Sequence, residues 1–437
     1  MKRSGLVLLL LSAIGLVLFA GGAPQPAQQP GATGSAQAAP AAQEPVTLTV
    51  ASWGVQEGAT QGYFEALKRD FEAANPNVTI EYQGYPYGQL RQQVLVMASA
   101  GETPDLVQVE RGWMPGFVAS GFFTPIDNLV SDTWKADVFP KVRDNLTIDG
   151  QLWAAPWFYS PYVMFYNADL FAKAGLNPEN PPTTYEELLV AAQALSRLTD
   201  ADGNQVYGVG LSAGSVPVSG SAILSTLMSF GGGLTNAQGA VAIDTPQNLA
   251  ALEYYRNLHA QNLNPQAALL RELRNLFAIG RLGIYFDQFW GIGGAFAINP
   301  EVRGVTRVSP PIGTSTTPAG SPLEAHLMMV SATSENQAVA GKFIEFATSR
   351  AQLAQYFQST PFLPAYQNAA QDPAFQNDAL ASRLTTAADA IGPVPVNPRM
   401  DDVLLKLTEA VQKVTLGGEQ PAAVLRTLDA EIKALLQ

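Results

Sequence analysis

The hydrophobic pattern in the N-terminal quarter of the chain alternates between strand and helix periods. Val46, Leu48 and Val50 alternate with threonines, which is the two-residue period of a half-buried β-strand. The apolar spacing then becomes helical up to Pro76, alternates again and turns helical a second time. A continuous apolar run at 106–109 predicts a buried third strand. Strand–helix–strand order of this kind favours a parallel α/β sheet.

Helical patterns dominate the C-terminal third. Three helices are predicted over 380–390, 400–416 and 421–436, separated by prolines and glycines. An earlier helix is predicted to begin at a capping box formed by Thr184 and Glu187. We find no internal repeat with a period of about 20 to 50 residues, which argues against a solenoid or a propeller. The fold class is therefore α/β.

The N-terminus has the organisation of a secretory signal peptide. Lys2 and Arg3 precede an almost wholly apolar stretch from 6 to 19, and small residues follow it. We expect a signal peptide over 1–22; an uncleaved membrane anchor is the alternative, because the stretch is close to the shortest bilayer span. The polar, proline- and alanine-rich segment 23–45 is predicted to be a disordered tether.

Composition argues against several kinds of chemistry. The 437 residues include no cysteine, so thiolate nucleophiles, iron–sulfur clusters and cysteine-based zinc sites are excluded. The two histidines, His259 and His326, lie far apart in sequence and show no ligand pattern, so we predict no metal site, no cofactor and no catalytic residue. The formal net charge of −12 makes nucleic acid a poor partner. Low total charge favours a neutral ligand.

Aromatic residues follow the ends of the predicted strands. Trp53 comes after the first strand, Tyr85 and Tyr87 after the second and Trp113 after the third. Loops that leave the carboxyl ends of parallel strands converge on one crevice, which is where open α/β sheets bind ligands. Aromatic faces suit the C–H faces of sugar rings, while carboxylates and amides bind the hydroxyls. For any single aromatic residue, a place in the hydrophobic core is the alternative.

Charged residues near these positions are further candidates for ligand binding. Four of them are Glu57, Glu110, Arg111 and Asp287. Each could instead be a solvated surface residue, although Asp287 lies three residues before Trp290 and the glycine-rich stretch that follows it, which favours a binding loop. Asp105 is predicted to hold a loop rather than to contact a ligand. His326 is predicted to be packed or hydrogen-bonded within a lobe.

Five segments together carry a family resemblance. They are 71–81, 101–109, 153–157, 166–175 and 181–188. In this combination and order the chain resembles the family-1 extracellular solute-binding proteins of ABC importers, the group that includes maltose-binding protein. The likeness extends over essentially all of 46–437.

The resemblance implies the two-lobed periplasmic-binding-protein fold of type II, with hinge-linked lobes and mixed, largely parallel sheets flanked by helices. The implied first lobe comprises 46–158 and 313–359, and the second comprises 159–312 and 360–437. A ligand would bind in the cleft between them. The implied ligand-binding residues, by motif position and by the reasoning above, are Trp53, Glu57, Tyr85, Tyr87, Glu110, Arg111, Trp113, Trp157, Tyr159, Asp287, Trp290 and Phe362.

The function implied is that of a monomeric binding component, without enzymatic turnover, that captures a sugar or oligosaccharide and delivers it to a membrane permease. The protein would be periplasmic or associated with the cell envelope. Gly22 stands where many members of the family carry a lipidated cysteine, so anchoring through a cysteine is not expected.

Two alternatives remain open. The first is a non-sugar solute: glycerol phosphate would need clustered Arg or Lys, and a polyamine would need several carboxylates around the aromatic residues. The second is a secreted carbohydrate-active enzyme, which would need a nucleophile or a pair of carboxylates in the same pocket.

Overall fold

The computed structural model describes residues 44–436, so the predicted signal peptide and most of the predicted tether lie outside the described residues. The strands within this range are β1 (Val46–Ser52), β2 (Val78–Gly84), β3 (Leu106–Glu110), β4 (Phe123–Thr124), β5 (Thr147–Ile148), β6 (Gln151–Leu152), β7 (Ala155–Ser160), β8 (Tyr162–Asn167), β9 (Tyr207–Gly210), β10 (Leu282–Gln288), β11 (Thr306–Ser309), β12 (Glu324–Ser331) and β13 (Leu363–Pro364).

Helices flank these strands. They are α1 (Gln61–Ala74), α2 (Tyr87–Ala100), α3 (Met114–Ser120), α4 (Asp132–Asp137), α5 (Pro140–Asp144), α6 (Ala168–Lys173), α7 (Tyr185–Leu195), α8 (Pro217–Ser229), α9 (Pro246–Ala260), α10 (Leu270–Ala278), α11 (Ile292–Ile298), α12 (Val302–Val305), α13 (Gln337–Ala347), α14 (Arg350–Phe357), α15 (Gln367–Ala370), α16 (Pro373–Gln376), α17 (Met400–Thr415) and α18 (Pro421–Leu436). Short 3₁₀ helices lie at Arg111–Trp113, Phe289–Gly291, Ala381–Leu384 and Ala387–Ala390.

Two larger sheets organise the fold. The first sheet has the order β13-β7-β12-β3-β1-β2, with β4 also paired to β12, and the second has the order β11-β8-β10-β9. The predicted parallel arrangement of β1, β2 and β3 is confirmed. Both sheets are mixed, but antiparallel pairs outnumber parallel ones in the described residues, contrary to the expectation of largely parallel sheets. The reason is that β8 and β12 each enter their sheet directly from the other sheet rather than through a crossover helix.

The chain passes between the sheets at neighbouring points. Only Pro161 separates β7 of the first sheet from β8 of the second, and β12 returns to the first sheet after β11. The strand β13 pairs with β7, so it belongs to the first sheet, although residues 360–437 were assigned to the second lobe from sequence. Its phenylalanine neighbour Phe362 is fully buried against Phe158, which holds the segment there.

Local signals predicted most of the long helices. The hydroxyl of Thr184 accepts a hydrogen bond from the Glu187 N–H (3.2 Å), as in a capping box, but the Glu187 carboxylate accepts from the Thr183 N–H instead of Thr184. The helix predicted over 380–390 is wrong, because this segment forms two 3₁₀ turns. Its end is held by hydrogen bonds between Ser321 and the backbone at 390–392, a long-range pairing that helical periodicity does not reveal.

Asp105 joins three parts of the first sheet. Its carboxylate accepts hydrogen bonds from the Thr49 N–H and hydroxyl (both 2.8 Å) on β1 and from the Ser334 hydroxyl (2.6 Å) ahead of α13. It is 8% exposed. The prediction that Asp105 holds a loop is confirmed.

We expect Asp105→Ala to lower the free energy of unfolding by about 2–3 kcal/mol, because it leaves buried donors unsatisfied. Chemical denaturation measures the effect. The partly exposed Asp70, which pairs with Arg69, supplies the control: Asp70→Ala should cost no more than about 0.5 kcal/mol. Equal losses in the two variants would show that the Asp105 contacts do not stabilise the sheet.

Candidate functional site

A cavity of about 790 Å³ opens at the carboxyl ends of β1 and β3. One wall comes from loops and helices of the first sheet, and the opposite wall comes from α8, α10, the end of β10 and α17. The 3₁₀ helices that follow β3 and β10 each contribute a tryptophan, Trp113 and Trp290. The crevice expected from the strand order is therefore present, with walls on both sides.

Close helix packing shapes the second wall. Helix α8 crosses α17 at Gly220, where an added Cβ would lie only 2.1 Å from the Leu404 carbonyl oxygen. Glycine at this position lets the two backbones approach closely. The neighbouring residues Ser221 and Asp401 then both line the cavity.

Seven of the twelve residues predicted to bind ligand line this cavity. They are Trp53, Glu57, Tyr87, Glu110, Arg111, Trp113 and Trp290. The other five, Tyr85, Trp157, Tyr159, Asp287 and Phe362, are not among its lining residues.

Three of these five residues are core residues of the first sheet. Trp157 is fully buried and packs edge-on against Phe64 at 5.3 Å between ring centroids. Phe362 is fully buried against Phe158. Tyr159 is 2% exposed and lines a separate cavity of only about 30 Å³. The structure thus places these side chains in the hydrophobic core and not at the large cavity.

The remaining two residues contact neighbours rather than the cavity. The Tyr85 hydroxyl donates to the Met97 sulfur (3.5 Å). Asp287 is fully buried and accepts hydrogen bonds from Nε (2.6 Å) and Nη2 (3.0 Å) of Arg274, which does line the cavity. Asp287 therefore orients a cavity residue, and such bidentate pairs fix a guanidinium firmly.

Aromatic rings form a continuous cluster at the cavity. Trp53 lies 5.5 Å from Tyr87 and 5.6 Å from Trp113, measured between ring centroids. His326 lies 4.9 Å from Trp53 and 5.3 Å from Trp290, so it connects the aromatic residues of the two walls. Such edge and offset contacts are favourable and keep the rings in place.

Two carboxyl groups in the cavity have strongly raised pKa values. Burial and the negative charge of Glu324 raise the pKa of Glu110 to about 7. Burial likewise raises the pKa of Glu324 to about 7, although the hydrogen bond from Ser221 and the charge of Arg111 oppose the shift. Taking a carboxylate out of water disfavours its charged form. Both carboxyl groups are therefore near their titration midpoint at neutral pH.

His326 is a cavity residue as well as a packed one. It lies opposite Glu110 in the β3–β12 ladder, with its Nε2 3.8 Å from a Glu110 oxygen. Burial lowers the pKa of His326 to about 3, so the ring is neutral at physiological pH. Its Nδ1 has no hydrogen-bond partner among the described residues.

Within residues 44–436, no cluster of three or more His, Cys, Asp or Glu side chains could hold a metal ion. In the same range no helix is both long and apolar enough to cross a membrane.

Comparison with known proteins identifies the family. The sequence profile of the family of bacterial extracellular solute-binding proteins matches residues 54–354 of the chain. The chain belongs to this family. A binding protein of Brucella abortus is 27% identical over 90% of this chain and 93% of its own length. A maltotriose-binding protein of Pyrococcus abyssi is 22% identical over 86% of this chain and 79% of its own.

A solved structure shows the same fold. The cyclic α-maltosyl-1,6-maltose-binding protein of Arthrobacter globiformis superimposes with a TM-score of 0.79 at 22% identity. The match covers 90% of this solute-binding protein and 99% of that chain.

Sequence reasoning missed several charged residues of this solute-binding protein's cavity. Glu324, Asp401, Arg271 and Arg274 line it, and His326 was not predicted as a ligand-binding residue. Glu324 and His326 alternate with apolar residues in β12, and polar residues in an otherwise buried strand could have marked them. The other three lie on helices that the sequence pattern does not place near the cavity.

We expect Glu324→Gln to resist thermal unfolding better than the wild type at pH 8 but not at pH 5. The Glu324 carboxyl group titrates near 4.5 when unfolded and about 7 when folded, so the native state loses stability as pH rises through this window. Glutamine carries no charge and avoids the loss. Thermal unfolding of the unliganded proteins measures this, and identical pH profiles for the two proteins would contradict it.

Proposed function

We propose that this protein captures a saccharide in the cavity between its two sheets and delivers it to the permease of an ABC transporter. One observation carries the proposal: aromatic rings, carboxylates and guanidinium groups line a single cavity built from both sheets. The rings can stack on the C–H faces of sugars, and the charged groups can bind hydroxyls through charge-assisted hydrogen bonds.

The cavity size favours more than one sugar ring. Ligand pockets typically measure about 300–1,000 Å³. At about 790 Å³, this cavity lies in the upper part of that range. The names of the relatives agree with this reasoning, since they include a maltotriose-binding protein and a diacetylchitobiose-binding protein of Streptomyces coelicolor.

A phosphorylated solute fits less well. Arg111, Arg271 and Arg274 line the cavity, but Arg274 is paired with Asp287 and the charge of Arg111 acts on Glu324. At Arg274 a phosphate would therefore compete with a carboxylate for the guanidinium group, and at Arg111 its charge would meet that of the nearby Glu324. A saccharide hydroxyl, in contrast, can accept from an arginine and donate to a carboxylate at once.

Capture would involve closure of two lobes, each built on one sheet. Contacts already bridge the cavity: Arg91 on α2 pairs with Asp401 on α17 (2.9 Å), and Ser221 on α8 donates to Glu324 on β12. A saccharide that contacts both walls would favour the closed state, because only that state offers all its contacts. The proposed lobes follow the sequence assignment, except that the segment around β13 belongs with the first lobe.

We also propose that the protein does not turn over its ligand. A glycosidase pair needs environments that push two carboxyl pKa values apart, giving one acid and one ionised base or nucleophile. Here the pKa values of Glu110 and Glu324 are both raised to about 7. Mass spectrometry of a saccharide recovered after incubation should show an unchanged mass, whereas shortened products would contradict this proposal.

The proposal also covers the cellular location and the oligomeric state of the protein. It would act outside the cytoplasmic membrane as a monomer, in the periplasm or at the cell envelope, after export directed by the signal sequence. We do not expect anchoring through a lipidated cysteine, since the printed sequence has glycine at position 22 and no cysteine.

We expect Trp290→Ala to weaken saccharide binding at least tenfold, which corresponds to about 1.4 kcal/mol, because it removes a stacking face from the second wall. Isothermal titration calorimetry over a panel of oligosaccharides measures the affinity. Trp153 is similarly half-buried but lies outside the cavity, so Trp153→Ala is the matched control. Unchanged affinity in Trp290→Ala, or no heat from any saccharide with the wild type, would contradict the proposed function.

A further inference from the structure

The charges in the cavity are unevenly compensated. Arg274 has Asp287 as a bidentate partner, and Asp401 has Arg91. The positive charge of Arg111 acts on Glu324. Arg274 and Arg91 are therefore each paired with a carboxylate, whereas the buried Arg111 has no carboxylate within 4 Å in the described residues and donates only to the Val394 carbonyl (3.5 Å). Glu110 is a half-buried carboxylate on the first wall.

In the described part of the chain, no lysine or arginine lies within 4 Å of the Glu110 carboxylate. His326 is its sole ion-pair neighbour there, with Nε2 at 3.8 Å, and this ring is neutral because burial lowers its pKa to about 3. The other groups whose charges act on Glu110 are Glu324 from β12, Asp401 from α17 and Arg91 from α2. Two of them are negative, and Arg91 is paired with Asp401.

The surroundings of Glu110 suit a ligand cation. Glu110 and Tyr87 both line the cavity, and the charge of Glu110 contributes to raising the pKa of the Tyr87 hydroxyl. Tyr87 contacts both Trp53 and Trp113, and its own ring is the exposed one of the three. Aromatic faces attract ammonium groups, and the attraction grows as water is excluded.

The net charge of the whole chain also favours a cationic ligand. The formal net charge is −12, and a negative protein raises the local concentration of cationic ligands around its clefts. A neutral saccharide gains nothing from this field. A cationic ligand would hold the half-buried Glu110 in its ionised form, whereas beside a neutral saccharide this group, with its pKa raised to about 7, can take up a proton.

We propose that the bound saccharide carries a protonated amine, which pairs with the Glu110 carboxylate near the rings of Trp53 and Tyr87. This inference rests on the proposed function. Glu110 then determines specificity, because it distinguishes an aminated saccharide from its neutral counterpart. The remaining hydroxyls bind the paired arginines and carboxylates as in any saccharide complex.

The test compares matched ligands that differ in one charge. The 6-amino-6-deoxy derivatives of maltotetraose and cellotetraose are titrated into the protein at pH 7.5, together with their N-acetylated forms, which keep the ring and lose the charge. Wild type is compared with Glu110→Gln. Glu253→Gln is the control, since it removes one negative charge from α9 at a position outside the cavity.

The wild type should bind an aminated saccharide at least tenfold more tightly than its N-acetylated form. Glu110→Gln should lose that preference, and Glu253→Gln should keep it. Equal or tighter binding of the N-acetylated form to the wild type would overturn the inference and leave the proposed function intact. This comparison needs no variant, so it decides the question even if Glu110→Gln unfolds.

Two further outcomes bear on the proposed function itself. If no saccharide in the panel binds, whether aminated, acetylated or neutral, both proposals fail. If spermidine binds while no saccharide does, the carboxylate beside the rings recognises a cation but the ligand is not a sugar, and both the proposed function and the aminated saccharide are rejected.

Discussion

Two serine hydroxyls hold the place where the chain passes from the first sheet to the second. Ser160 accepts a hydrogen bond from the Phe289 N–H (2.8 Å), and Ser321 accepts one from the Tyr162 N–H (3.0 Å). Both serines are fully buried. Their contacts tie the crossing strand to the end of β10 and to the segment that returns to β12. These contacts fix the short connecting segments on which the placement of the two cavity walls depends.

Burial of charge is the second constraint on the site. Carboxyl groups at Glu110 and Glu324 cost stability when ionised, and the surrounding fold retains them nonetheless. Protein sites commonly keep such unfavourable groups where a ligand compensates them. The Nδ1 of His326 is likewise buried without a hydrogen-bond partner among the described residues.

Local sequence patterns predicted the parts of the fold that depend on local interactions. The alternation in β1 and β2, and the helical spacing of α17 and α18, follow directly from which side chains are buried. The same reasoning placed Trp53, Tyr87 and Trp113 at the cavity, because strand ends of a parallel sheet meet at one edge. It failed for Trp157, because all six residues of β7 are buried and both faces of this strand are packed. It also missed Glu324, which reaches Glu110 through pairing of β12 with β3 across more than two hundred residues.

A crystal structure of the protein with the tightest-binding saccharide from the calorimetric panel would show whether the ligand binds between the two sheets. We expect an intact saccharide in the cavity, with a ring stacked on at least one of Trp53, Tyr87, Trp113 and Trp290 and with polar contacts from both sheets' walls. A saccharide bound elsewhere, or one that contacts the first wall alone, would contradict it.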